Sequence, residues 1–161
     1  MPPSIRDYAE FAQLALQFDL LDVRAVQAWA DTIIAAHDQP PLWAIELSLA
    51  TPDYGLELLP TVPGTRSDNV PGLLLLALVR RRWHAGSLSL CALHTVACSL
   101  RNSGIIPWRP NFGDWGVIVD CYFEEHQEGY STEQELRASI SESLEEFASH
   151  YPLLPPWACS P

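Results

Sequence analysis

The chain has no lysine: its nine basic residues are all arginine, against 20 aspartates and glutamates. The formal charge of -11 leaves no general basic face to neutralise phosphates, which argues against nucleic-acid binding. Long apolar runs are missing too. The longest, 71–79, stops at Arg80, Arg81 and Arg82, and 85–100 is broken by Ser87, Ser89, His94, Thr95 and Ser99. Neither reaches the roughly 20 residues of a membrane-spanning helix. The first six residues carry no apolar stretch, so no export signal is expected and the expected address is the cytoplasm. Cysteine is sparse: Cys91, Cys98, Cys121 and Cys159. On one helix, Cys91 and Cys98 stand about 10.5 Å apart along the axis. That is too far for a disulfide, so reduced thiols are expected. A glycine-rich phosphate loop, a G-x-S-x-G elbow and a C-x-x-C pair are all absent, and no ready-made mechanism stands out. The absence of lysine beside abundant alanine, leucine and proline fits a bacterial genome of high GC content.

What is present is a foldable composition. The chain is 48% hydrophobic and 18% charged, unlike a disordered acidic tail. Its 161 residues suit one domain, 1–161. A chain of this size buries roughly 68–70% of its unfolded surface, without needing metal or disulfide staples.

The apolar spacing is helical almost throughout. Ser4 is placed to cap a helix over 4–18 and Asp22 a second, whose stripe is Val23, Val26, Ala30, Ile33, Ile34 and His37. Pro40 and Pro41 end that helix and open a third, with Leu42, Ile45 and Leu49 on one face; a short turn follows over 53–59. Residues 60–69 read as a loop. A helix from Pro71 to Trp83 and another over 87–102 come next; the second, apolar nearly all round, is expected to be the central buried one. The window 114–128 is ambiguous. Val117 to Phe123 looks like a strand, but Trp115, Ile118, Val119, Tyr122 and Phe123 repeat at helical spacing between Asp114 and Gly129, which favours helix. Ser131 with Gln134, or Thr132 with Glu135, forms a capping box for a last helix to about His150, and the tail's Leu153, Leu154 and Trp157 should fold back onto the body. The expected fold class is all-α: a compact irregular bundle of seven to eight helices in a single domain.

Charge is segregated along the chain. Residues 1–68 net -7, residues 69–113 hold five arginines and no acid, and residues 114–161 net -9. One reading is a basic core segment whose arginines pair with flanking carboxylates. The other is an acidic face that steers a basic partner.

Candidate sites follow from these patterns. The loop residues Trp108, Arg109 and Phe112 are of the types that anchor protein interfaces. With Glu124, Glu125, Glu128, Glu142, Glu145 and Glu146 they form the expected partner-binding surface. Glu133 and Glu135 extend the same acidic face. Cys91, His94 and Cys98, at i, i+3 and i+7, are a possible metal or thiol face, with His84 or Cys121 as a fourth group; the spacing fits no standard zinc motif, and small buried apolar cysteines explain it as well. Cys121 and His126 point about 140° apart on a helix, which argues against a nucleophilic pair. No cofactor is expected. The expected function is an acidic protein-binding module, most concretely an inhibitor or immunity-type protein that occludes a basic enzyme's active site. The alternative is a small metal- or thiol-dependent enzyme or regulator on the Cys91, His94 and Cys98 face.

Overall fold

The computed structural model describes residues 2–103 and 115–159, and among these there are eight α-helices and no strand. The helices are α1 (Ile5–Gln17), α2 (Val23–Ala35), α3 (Leu42–Ser48), α4 (Pro52–Leu58), α5 (Val70–His84), α6 (Leu90–Ser103), α7 (Trp115–Gln127) and α8 (Glu133–Glu145). Short 3-10 segments cover Leu59–Thr61, Glu146–Leu153 and Pro156–Cys159. The ambiguous 115–127 window is therefore helix. The chain divides into two compact units, one from Met1–Pro71 with Pro152–Pro161, the other from Gly72–Tyr151.

The first unit begins with a helix start fixed from far away. Ser4 caps α1 and Asp7 completes the capping box by accepting from the Ser4 N–H at 2.8 Å. The same buried carboxylate accepts from the Ser67 N–H at 2.7 Å and the Ser67 hydroxyl at 3.0 Å, so it pins the 60s loop to the start of α1. Arg6 adds bonds to the carbonyls of Leu59, Pro60 and Val62. Burial opposes ionisation of Asp7, but the hydrogen bonds from Ser67 and Ser4 outweigh it and hold the carboxyl below its ordinary 3.8. Because the folded state binds this proton less readily than the unfolded chain, the stabilisation is complete above about pH 5 and fades as pH falls through the carboxylate range. Asp7→Ala should cost about 2 kcal/mol at neutral pH, because it leaves two part-buried N–H groups without their acceptor. Urea melts at pH 7 and pH 3 should show that difference shrinking; a constant difference would contradict the ionised role.

At the other end of α1, Asp19 takes a left-handed φ of 54°, and the Leu20 and Leu21 N–H groups both return to the Ala15 carbonyl. That turn drives Leu20 and Leu21 inside. The core holds Ala9, Ala12, Val26, Trp29, Ala30, Ala44, Leu47 and Leu59. On α3, Ala44 and Leu47 are the buried positions, whereas Leu42 and Leu49 are 68% and 80% exposed. The face marked by Leu42, Ile45 and Leu49 thus looks outward. The tail folds back as expected: Trp157 stacks on Trp29 with ring centroids 5.3 Å apart and meets Phe11 at 5.8 Å and Tyr8 at 6.4 Å.

In the second unit the most buried helix is α5, not α6. Leu74, Leu75, Leu76, Ala77, Leu78 and Val79 are all at most 1% exposed, whereas α6 leaves Cys91, Thr95 and Arg101 exposed. Each large side chain buried this way contributes about 1.5–3 kcal/mol. Toward its C-terminal end, α5 meets α8. Trp83 donates its indole N–H to the Ser141 hydroxyl at 2.9 Å and carries Arg137 over its ring, while Arg80 pairs with Glu145 at 2.9 Å. α8 opens with the Thr132 and Glu135 capping box and ends at Glu145, short of the expected His150. The chain goes on as a 3-10 segment that contains Pro152, which has no N–H to give to an α-helical ladder.

Candidate functional site

α6 and α7 lie against each other in the second unit, and their facing residues carry the chemistry. On α6 these are His94, Ala97, Cys98 and Arg101; on α7 they are Gly116, Asp120 and Phe123, one turn or so apart. Gly116 permits the approach. A Cβ placed there would lie 2.4 Å from the Ala97 carbonyl oxygen and 3.0 Å from the Arg101 backbone nitrogen. One turn further along α7, Asp120 reaches across. His94 Nε2 donates to Asp120 Oδ1 at 3.0 Å, the Cys98 thiol lies 3.8 Å from the same oxygen, and Arg101 Nη1 holds Oδ2 in a short charge-assisted bond. The His94 ring is stacked on Phe123, with centroids 4.2 Å apart and planes 18° off parallel.

The electrostatics follow from these contacts. The bond from His94, reinforced by the charge of Arg101, keeps the Asp120 carboxyl below its usual range despite partial burial. Burial and the neighbouring Asp120 carboxylate push the Cys98 thiol up. An activated nucleophilic or redox cysteine has its thiolate favoured, whereas these surroundings favour the Cys98 thiol. The His94 and Asp120 side chains remain 31% and 19% exposed, so the cluster opens to solvent.

Of the suggested Cys91, His94 and Cys98 face, the structure brings His94 and Cys98 together and replaces Cys91 by Asp120. Among the described residues, His94, Cys98 and Asp120 are the set whose donor atoms lie within 4.8 Å of one another. Cys91 and Cys121 are exposed elsewhere on their helices. His84 is used by Glu145 at 3.1 Å, and His126 donates from Nδ1 to the Ser131 carbonyl at 2.8 Å, so it does not face Cys121. Asp120 was detectable in the sequence as the one charged residue between Trp115 and Phe123. Its cross-helix partners were not, because they depend on the packing that Gly116 allows.

The acidic residues named from sequence are all exposed. Several are engaged: Glu135 caps α8, Glu133 pairs with Arg137 at 2.8 Å, and Glu145 pairs with Arg80 and His84. Arg80 with Glu145 and Arg101 with Asp120 bear out the pairing of central arginines with carboxylates of the last third. Glu124, Glu125, Glu128 and Glu142 make no ion pair among the described residues. Trp108, Arg109 and Phe112 lie outside the described residues. No helix among the described residues is long and apolar enough to cross a membrane. No family model, curated protein or solved structure matches the chain.

Proposed function

We propose that the chain is a protein-binding module whose acidic α7–α8 hairpin engages a basic protein. In its most concrete form it is an inhibitor or immunity-type protein that covers a cationic active site. The observation that carries this reading is the hairpin tip. Residues 124–135 hold Glu124, Glu125, Glu128, Glu133 and Glu135 and no arginine. Glu124, Glu125 and Glu128 crowd the C-terminal end of α7, the negative pole of its dipole, where acids are disfavoured. Charge held at its unfavourable pole, exposed and free of ion pairs, is available to a cationic surface.

The test is capture from a lysate of the source organism at low and at high salt, read by mass spectrometry, with wild type and the Glu124→Gln, Glu125→Gln, Glu128→Gln triple variant. A basic partner held at low salt, weakened at high salt and lost from the variant supports the reading. The variant should also melt slightly higher than wild type, since it relieves the dipole clash. Absence of any partner at both salt concentrations refutes the proposal. The alternative, a small metal- or thiol-dependent enzyme or regulator on the Cys91, His94 and Cys98 face, draws support from His94 and Cys98 meeting Asp120 and none from Cys91.

A further inference from the structure

We infer that His94, Cys98 and Asp120 form a zinc site across the α6–α7 contact, with Arg101 positioning the carboxylate. The geometry comes first. Zinc bonds of about 2.0–2.1 Å to nitrogen, 2.3 Å to sulfur and 2.0–2.2 Å to oxygen place tetrahedral donors about 3.3–3.7 Å apart. Here Nε2 and Oδ1 are 3.0 Å apart, Sγ and Oδ1 are 3.8 Å apart, and all three atoms lie within 4.8 Å. The two separations to Oδ1 are within a few tenths of an ångström of these values, and side-chain adjustments of up to about 1 Å close the set on one ion.

The chemistry of the donors then selects the metal. A thiolate and an imidazole suit zinc and not the hard cations, which prefer oxygen throughout. One thiolate and one carboxylate balance the ion's two charges. The surroundings resemble the outer shell of a metal site: Arg101 holds the second carboxylate oxygen and Phe123 fixes the plane of the imidazole. Zinc would replace the two hydrogen bonds that now hold the donors together. The Cys98 proton leaves to solvent, the His94 proton moves from Nε2 to Nδ1, and nothing is oxidised or reduced. Three protein donors leave a fourth position for water on the partly exposed side of the cluster.

The test uses the full chain, expressed with zinc and kept from chelators. Elemental analysis should find one zinc per chain. After stripping, titration with Co²⁺ should give a thiolate-to-cobalt charge-transfer band and the intense visible bands of a tetrahedral centre. Cys98→Ser should abolish the charge-transfer band, with circular dichroism confirming the fold, whereas Cys91→Ser and Cys121→Ser should keep it. Asp120→Asn should weaken Co²⁺ binding by at least about tenfold, and Arg101→Ala by about tenfold. If Cys98→Ser fails to fold, His94→Gln decides, through loss of tetrahedral intensity. Absence of a charge-transfer band in the wild type, or a band that survives Cys98→Ser, overturns the site. Neither result touches the salt-sensitive capture at the hairpin tip.

Discussion

Gly116→Val is expected to destabilise the second unit by about 3 kcal/mol and to undo the His94–Asp120 contact in the same stroke. The cause is local. Even a Cβ at this position would meet the Ala97 carbonyl oxygen at 2.4 Å, and the obstacle is backbone, which cannot rotate away as a side-chain tip could. α6 and α7 must separate, and cores do not yield gradually to such intrusions. Gly116→Ala should show the same sign with a smaller size, because alanine regains nearly 1 kcal/mol of helix propensity. The control is Gly129, which holds a φ of 82° with nothing within 4 Å of its Cβ position. Gly129→Ala should cost about 1 kcal/mol from backbone strain alone and leave the His94–Asp120 contact intact. Denaturant melts give the stabilities, and the chemical shift of the His94 ring protons reports the contact. A Gly116→Val protein as stable as wild type would mean that the two helices do not approach as described.

Trp157→Ala is expected to cost about 3 kcal/mol, at the lower end for removing a buried aromatic because Trp157 is only partly covered. Its indole stacks on Trp29 and touches Phe11 and Tyr8, so the loss exposes three further rings as well as removing one. For a chain of this length that corresponds to a fall of about 6–12 °C in Tm. Near-ultraviolet circular dichroism should lose the signal of the stacked indoles in parallel. A change under about 1 kcal/mol would place Trp157 outside the core.

Local signals carried much of this fold. Ser4, Asp22 and Thr132 with Glu135 cap the helices they were expected to cap, because a cap depends on residues within three positions. The helical repeat through 115–127 correctly outweighed its β-branched composition. Periodicity, however, states which residues share a face and not what that face meets. Leu42 and Leu49 share one that looks outward, while the small Ala44 faces the core. Apolar content likewise pointed to α6 as the central helix, although α5, which carries three arginines near its C-terminal end, is the more buried. Long arginine stems reach carboxylates from a buried axis, as Arg80 does to Glu145, so a basic terminus does not pull a helix to the surface. Of the site, His94 and Cys98 were visible as one helix face. Asp120 enters from 22 positions beyond Cys98 through a tertiary contact, which no spacing rule encodes.

Assembly of the first unit from residues 1–71 and 152–161 sets an order of events during synthesis. Residues 72–151 are contiguous, so all their mutual partners are present once residue 151 is made. The earlier segment must wait, with the Phe11 and Trp29 surfaces that receive Trp157 still uncovered, until the last of these residues follows. For that interval the nascent chain displays an unfinished aromatic surface, the kind on which chaperones act and from which aggregation begins.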